Sequence, residues 1–152
     1  MAEARISVTD IQKLREETGA GVMECKKALE QGKGDFAAAK RILKEQGLLK
    51  SQKRADRETA AGFIASYVHQ GRVGALLHLG AETDFVVNSE PFQNLAKELA
   101  MQIVASSAED VDSLLEEPYI RDPQKTVRQL IQETSAKVGE NITIHAFSRL
   151  AR

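Results

Sequence analysis

The 152-residue sequence contains a single cysteine, no tryptophan and three prolines. A lone cysteine, Cys25, excludes a disulfide bond within the chain and is typical of proteins that work in a reducing compartment. No apolar run approaches the roughly 20 residues that a membrane-spanning helix requires. The segment Met1–Arg5 lacks both the apolar core of a signal peptide and the basic, acid-free pattern of a transit peptide. Together these absences predict a cytoplasmic protein with no membrane segment.

The sequence has no excess of charge of either sign, since 21 basic residues face 22 acidic ones and the formal net charge is −1. A chain that coats nucleic acid or an anionic membrane is usually strongly basic, so neither is expected as a partner. Residues 48–60 are locally basic, which leaves a ribosome- or RNA-binding protein open as an alternative. Acidic neighbours at Asp56 and Glu58 favour a solvated linker instead. The basic residues of this segment are Lys50, Lys53, Arg54 and Arg57.

Motifs of catalysis and cofactor binding are also missing. The sequence contains no phosphate-binding glycine loop, no dinucleotide fingerprint, no metalloprotease helix motif and no nucleophile elbow. His69, His78 and His145 fall in three different predicted strands. They would form a metal site only if they converged, and histidines at a sheet surface are the favoured interpretation. Cys25 lies on the apolar stripe of a predicted helix, which favours a buried, unreactive thiol. We therefore expect no enzymatic activity, no metal and no cofactor.

Residues 1–47 predict three short helices that are too short to be stable alone and must pack together. The predicted helices are marked by polar residues that cap their starts and by glycines that end them. The second helix is expected to place Val22, Cys25 and Leu29 on one apolar stripe. The predicted caps and stops, in chain order, are Ser7 with Asp10, Gly19, Gly32, Asp35 and Gly47.

From residue 61 the apolar period changes from that of a helix to the alternation of a strand. A hairpin turn is expected at Gln70–Gly71. A helix follows from Phe92 to Ile103, and after a polar stretch a last helix begins at Asp122 and Pro123. The inward-facing strand residues are expected to be Val73, Ala75, Leu77 and Leu79, then Ile142, Ile144 and Ala146. The predicted class is α+β, with a small, mostly antiparallel three-stranded sheet covered by helices on one face.

Two segments carry features that packing alone does not explain. In Leu14–Leu29, Met23 points away from the apolar stripe and stands among lysines, which suits an adaptable contact with a partner. In Glu82–Asn88, which follows the second strand, Phe85 lies at the tip of a polar loop. An aromatic residue at such a tip packs into its own core or inserts into a partner, and the pattern alone favours its own core.

Both segments resemble signatures of the elongation factor Ts family. Leu14–Leu29 is similar to the family's Leu-Arg-x-x-Thr-Gly-Ala-Gly followed by Cys-Lys-x-Ala-Leu, and Glu82–Val86 matches its Glu-Thr-Asp-Phe-Val. The resemblance covers nearly the whole chain. It implies a ubiquitin-associated-like three-helix head at residues 1–47, a linker at residues 48–60 and one core module for exchange and dimerisation at residues 61–152.

The resemblance also implies a function, that of a guanine nucleotide exchange factor for elongation factor Tu in its GDP-bound and nucleotide-free forms. The family's Asp-Phe pair would wedge into the GTPase domain and disturb its magnesium site, while the head would grip the same domain. The partner-binding residues implied in this way are Thr83, Asp84, Phe85 and Val86 in the core module and Arg15, Val22 and Met23 in the head.

The sequence departs from the family at two places. Many relatives have methionine at the position of Val22, and a basic pair that precedes the terminal phenylalanine is replaced by His145–Ala146. An alternative from another class also stays open. A ubiquitin-associated-like adaptor without exchange activity would use the head and would not need the loop at Phe85.

A homodimer joined through the core module is also expected. Both faces of the predicted sheet carry apolar residues, with Ile64 and Val68 on one face and Phe63 and Tyr67 on the other. The two long predicted helices can cover only one of these faces. A second copy of the chain would cover the other.

Overall fold

The structure is a computed structural model that describes residues 5–152. Residues 1–4, part of the segment with no predicted targeting signal, lie outside the described residues. Within residues 5–152 the fold is α+β, with seven helices, a three-stranded antiparallel sheet and a two-stranded hairpin. No helix in this range is long and apolar enough to cross a membrane. The elements are α1 (Val8–Thr18), α2 (Val22–Gln31), α3 (Phe36–Arg54), β1 (Ala61–His69), β2 (Val73–Ala81), α4 (Asp84–Val87), α5 (Glu90–Ala105), α6 (Val111–Glu116), β3 (Pro118–Tyr119), β4 (Asp122–Thr126), α7 (Val127–Val138) and β5 (Ile142–Ala151).

The first compact unit, which ends at Lys50, is built from α1, α2 and most of α3. The predicted capping box is confirmed, since Ser7 Oγ accepts a hydrogen bond from Asp10 N and the Asp10 carboxylate accepts one from Ser7 N, both at 3.1 Å. Gly19 ends α1 with a φ of 71°, in the left-handed region that glycine adopts without steric cost. The buried core of this unit consists of Leu14, Cys25, Ala28, Leu29, Ala39 and Leu43.

The third helix is longer than predicted. Gly47 was expected to end α3, but the helix continues through it to Arg54. A glycine inside a helix costs only about 1 kcal/mol relative to alanine, and the residues that follow Gly47 are mostly good helix formers. The boundary between the two compact units, at Lys50 and Ser51, falls within this helix. The expected linker at residues 48–60 therefore begins as helix.

The second unit, Ser51–Arg152, is centred on a sheet of strand order β1-β2-β5 in which both neighbouring pairs are antiparallel. The hairpin turn lies at Gln70–Gly71 as predicted. Both residues have positive φ, 52° and 66°, and Arg72 N donates a hydrogen bond to His69 O at 3.0 Å. The ladder closes at the His69–Val73 pair, so Arg72 also belongs to the turn.

The helices cover one face of this sheet, as predicted. Its inward strand positions, such as Leu77 and Leu79, are fully buried against α5, whose Phe92, Leu99 and Ile103 are also fully buried. The opposite face, called here the outer sheet face, lies open. Its exposed apolar residues, with their exposed fractions, are Ile64 (60%), Val68 (65%), Leu76 (53%) and Leu150 (81%).

The last strand, β5, follows the predicted alternation only as far as Ile144. The ladder skips His145 between Ile144 and Ala146, which makes His145 a β-bulge. The faces exchange beyond the bulge, so Phe147 packs against the core and Ala146 is exposed. The prediction that Ala146 shares a face with Ile142 and Ile144 is wrong, because one inserted residue inverts the alternation of all that follow.

The last helix, α7, begins later than predicted. Asp122 and Pro123 lie in β4, which pairs with β3 and keeps the chain extended as far as Thr126. Thr126 is the true N-cap: its Oγ1 accepts a hydrogen bond from Gln129 N at 3.2 Å, and Gln129 Oε1 accepts one from Thr126 N at 2.9 Å. The polar stretch before this hairpin also contains the short helix α6, which the sequence pattern did not predict.

Candidate functional site

The segment after β2 is folded into a single helical turn, α4. Thr83 is the N-cap of this turn, with an extended backbone and a hydroxyl that accepts a hydrogen bond from Val86 N at 3.4 Å. Asn88 closes the turn through its backbone N and its side-chain Nδ2, which both donate to Asp84 O at 3.0 Å. The segment predicted as a loop therefore has a fixed backbone.

Phe85 projects into solvent from this turn. Its side chain is 86% exposed, whereas the next two residues, Val86 and Val87, are each 5% exposed and belong to the core of the unit. One helical turn has a single buried side, and the two valines occupy it. The pattern alone favoured packing of Phe85 into its own core, and that interpretation is wrong, whereas the alternative of a side chain displayed at the surface agrees with the structure.

Three of the four residues implied as contacts in this segment lie on one surface. Thr83 and Asp84 are exposed beside Phe85. Val86 is not part of that surface, because its side chain is buried. Its position supports a role in anchoring the turn, while the surface available to a partner is formed by Thr83, Asp84 and Phe85.

A carboxylate from a distant part of the chain holds the start of this turn. Glu140 Oε1 accepts a hydrogen bond from Thr83 N at 3.0 Å, and Glu140 Oε2 accepts one from Thr83 Oγ1 at 2.8 Å. In the opposite direction, Glu82 Oε1 accepts a hydrogen bond from Asn141 N at 2.8 Å. Sequence patterns did not predict this contact, because 57 residues separate Thr83 from Glu140. A signal at this place in the sequence is Gly139, a glycine that ends a helix just before the polar pair Glu140 and Asn141.

In the first unit, the implied contact residues flank the turn between α1 and α2. Arg15 is exposed, Val22 is 48% exposed and Met23 is 60% exposed. Met23 thus faces solvent as predicted. Val22 was expected to share the apolar stripe of Cys25 and Leu29, and this prediction is wrong. As the first residue of α2, Val22 lies ahead of the point where the helix enters the core at Cys25.

The neighbouring residue Glu24 fixes the same turn. Its carboxylate accepts a hydrogen bond from Gly21 N at 3.2 Å and pairs with the ammonium group of Lys50. The bond from Lys50, and then the bond from Gly21 N, hold the pKa of Glu24 below its ordinary value because both favour the charged carboxylate. The backbone that presents Val22 and Met23 is therefore capped and ordered.

Three of the four basic residues at positions 48–60 have partners inside their own units. Lys50 pairs with Glu24, Arg54 donates to Ser135 O at 3.3 Å, and Arg57 lies 3.7 Å from the Glu82 carboxylate. Cations that already have partners leave less charge for phosphate groups. These contacts weigh against the alternative of an RNA-binding segment.

The histidines and the cysteine form no cluster of metal-ligand type within residues 5–152. His78 and His145 lie together on the outer sheet face, with ring centroids 4.7 Å apart. His69 instead contacts Tyr67, whose hydroxyl lies 2.9 Å from His69 Nδ1. Cys25 is fully buried, as predicted.

Comparison with known proteins identifies the family. The sequence model described as elongation factor TS matches residues 82–152, which contain both α4 and the Glu140 turn. The chain is also 38% identical to elongation factor Ts of Thermodesulfovibrio yellowstonii, in an alignment that covers 95% of this chain and 94% of that protein. The chain belongs to the elongation factor Ts family.

Other elongation factor Ts proteins are similar over the same extent. Identity is 39% with the protein of Thermoanaerobacter sp. strain X514, covering 97% of this chain and 95% of the relative. It is 40% with the chloroplastic protein of Cyanidioschyzon merolae, covering 91% and 90%. The alignment with the Thermodesulfovibrio protein spans 188 positions, more than the 152 residues of this chain, so it includes gaps where this chain is shorter. Membership of the elongation factor Ts family assigns the protein to translation elongation.

Proposed function

We propose that the protein is a guanine nucleotide exchange factor that releases GDP from elongation factor Tu by inserting Phe85 into its GTPase domain. The 86% exposure of this phenylalanine, on a turn with a fixed backbone, is the observation that carries the proposal. Burying such a side chain in a partner contributes about 1.5–3 kcal/mol. Little of that is lost to ordering the loop, because the loop is already ordered before docking.

Insertion of Phe85 couples two binding events on elongation factor Tu, the binding of this protein and the binding of GDP. Magnesium neutralises the phosphate charge of a bound nucleotide, so a partner that disturbs the magnesium site weakens GDP binding. Asp84 places a negative charge directly beside the inserted aromatic ring. By linkage, the factor by which the protein weakens GDP is the factor by which GDP weakens the protein, so the complex favours the nucleotide-free state.

The head supplies a second contact to the same domain. We take residues 1–47 to be a ubiquitin-associated-like bundle that presents Arg15, Val22 and Met23. An exposed methionine and valine offer an adaptable apolar surface, and an exposed arginine accelerates association with an acidic partner. Valine buries less apolar area than the methionine found at this position in many relatives, so we expect a weaker contact at Val22.

The function is that of a binding protein and not of an enzyme. Release of GDP requires no bond to be made or broken, and Phe85 and Asp84 act by occupying space and placing charge. The protein would need no cofactor or metal of its own. Its place of action would be the cytoplasm, where translation proceeds and where a lone reduced cysteine such as Cys25 is ordinary.

Release of labelled GDP from elongation factor Tu tests this function. Substoichiometric amounts of the protein should accelerate release, because each molecule acts repeatedly. Unchanged release at saturating protein would refute the proposal. Binding without acceleration would instead support an adaptor that uses the head alone.

We further propose that the protein is a homodimer joined through the outer sheet face. This face exposes Ile64, Val68 and Leu76, an apolar surface of the kind that marks protein interfaces. The strand residues that point to this face include no Asp, Glu, Lys or Arg. A two-fold axis places like residues near like residues, so a face without charge is suited to pairing with its own copy.

A further inference from the structure

We propose that Glu140 is a positioning residue for nucleotide exchange, since its carboxylate sets the orientation in which Phe85 meets the partner. The inference rests on the proposed exchange function. It assigns a role to a residue that lies outside both signature segments and 57 residues along the chain from Thr83.

The contact is a matched pair of hydrogen bonds. Thr83 presents two donors, its backbone N and its hydroxyl, and the two oxygens of Glu140 accept one each at 3.0 Å and 2.8 Å. Hydrogen bonds to an ionised acceptor are stronger than bonds between neutral groups, and two parallel bonds fix orientation as well as distance. Thr83 is two residues before Phe85 and is the N-cap of the turn that carries it.

The backbone at Glu140 is itself held from the core outward. Ser135, which is 2% exposed, donates its hydroxyl to Glu140 O at 2.6 Å, and Gly139 takes a φ of 77° to bring the chain round. On the other side, Asn141 is 6% exposed and donates to Ala55 O and Arg57 O at 3.2 Å and 2.8 Å. Buried groups on both sides therefore fix the residue that reaches out to Thr83.

This arrangement separates the stability of the turn from its orientation. Val86 and Val87 fix the buried side of the turn through the core and do not depend on Glu140. The bonds of Glu140 lie at the surface, where water replaces a lost partner at small cost to folding. Without Glu140, Thr83 would lose the two bonds that orient the start of the turn relative to the rest of the unit, while the bonds within the turn and the fold remain. The loss of Glu140 would therefore slow nucleotide exchange and not unfold the protein. Thr83 and Phe85 would have to be oriented at the moment when Phe85 enters the partner, and that ordering costs free energy.

The maximal rate of GDP release in Glu140→Ala tests the inference. We expect a fall of about tenfold at saturating protein, equivalent to about 1.4 kcal/mol, with little change in melting temperature. The maximal rate of Glu140→Gln should lie between those of wild type and Glu140→Ala, because the glutamine amide has one acceptor oxygen where the carboxylate has two. The matched control is Glu116→Ala, which removes an exposed carboxylate that pairs with Arg128 at 2.8 Å outside the loop, and it should exchange at the wild-type rate.

A double-mutant cycle with Phe85 shows whether Glu140 acts through the wedge. If it does, adding Glu140→Ala to Phe85→Ala should cause no further loss. An equal further loss would overturn the inference, since Glu140 would then act independently of Phe85. A full rate in Glu140→Ala would also overturn it, provided that Phe85→Ala is slow. If wild-type protein does not accelerate release, the proposed function itself fails.

Hydrogen exchange of the Thr83 amide gives a readout that does not depend on activity. The amide donates directly to Glu140, so its protection should fall in Glu140→Ala while the amides of the sheet keep theirs. Unchanged protection of the Thr83 amide would contradict the proposal that Glu140 holds Thr83 in place.

Discussion

Phe85 faces solvent because the two residues that follow it face the core. Val86 and Val87 take the buried side of the turn, and Thr83 and Asn88 satisfy the backbone at its two ends. The aromatic side chain of Phe85 is left mostly in water, at the cost of apolar exposure. Such an arrangement is costly for a purely structural residue and is expected for a binding one.

Phe85→Ala should reduce the maximal rate of GDP release by about tenfold to a hundredfold, because it removes roughly 1.5–3 kcal/mol of burial in the complex. The melting temperature should stay nearly unchanged, because the side chain makes little contact with its own core. Val8→Ala is a suitable control, since Val8 is 72% exposed and lies on α1, outside the proposed contacts. A marked fall in the melting temperature of Phe85→Ala would show that the ring supports the fold.

Tyr119 should give the protein a specific sensitivity to alkaline pH. Burial, together with the hydrogen bond that its hydroxyl donates to Glu98 at 2.6 Å, raises the pKa of Tyr119 to about 12. In the unfolded chain a tyrosine loses its proton near pH 10. Between these values the folded state holds the proton that the unfolded state has lost, so stability should fall as pH rises from about 10 to 12.

Absorbance of tyrosinate tests this directly, because the chain has only two tyrosines. A titration step well above pH 10 should be present in wild type and should vanish in Tyr119→Phe. The same variant should lose less stability than wild type over this pH range. Equal losses of stability in wild type and Tyr119→Phe would contradict the assignment of this pH dependence to Tyr119.

Among the elements, the hairpin of β3 and β4 determines where α7 begins. Pairing with β3 keeps the chain extended through Asp122 and Pro123, so the helix starts at the next residue that can cap it, Thr126. The hairpin is attached to the core by Gln102, which is 2% exposed and accepts from Ile120 N at 2.9 Å. A contact made by α5 thus sets the start of a different helix.

Replacing the true cap should therefore be more harmful than replacing the predicted one. Thr126→Ala should lower the free energy of unfolding by about 1 kcal/mol, the usual cost of removing a threonine N-cap. Asp122→Ala should change it by no more than a few tenths of that, because Asp122 is exposed in β4. Chemical denaturation of the two variants makes the comparison. A larger effect at Asp122 than at Thr126 would indicate that the helix begins at Asp122, as the sequence predicted.

At the scale of the whole molecule, the outer sheet face exposes apolar residues to water. A helical layer covers only the face that carries Leu77 and Leu79. A small sheet with one apolar face in water is a hazard for aggregation unless a specific partner covers it.

Light scattering across a dilution series should show a dimer that dissociates with dilution, since no disulfide links the copies. Leu76→Glu should give a monomer at concentrations where wild type is dimeric, because symmetry would bring two buried charges together. Val8→Glu introduces the same charge at an exposed apolar residue of the head and should leave the dimer intact. A monomeric wild-type protein at high concentration would refute the proposed dimer.

The elements that the sequence predicts correctly depend on nearby residues. The capping box of Ser7 and Asp10, the glycine stop at Gly19 and the hairpin turn at Gln70–Gly71 each follow from chemistry within a few positions. The α+β class follows from the change of apolar period at residue 61. The two signature segments were also sufficient to identify the family, because short runs of identical residues need no structure to be recognised.

The features that the sequence did not predict depend on contacts between distant residues. The apolar pattern alone favoured a buried Phe85, and only the family resemblance implied a side chain displayed to a partner, because its exposure depends on which side of its turn the core occupies. The hydrogen bonds from Thr83 depend on a carboxylate 57 residues away. The bulge at His145 becomes visible only when β5 is paired with β2. A local pattern records the preference of each segment, whereas exposure, register and long-range hydrogen bonds arise only when the segments pack against one another.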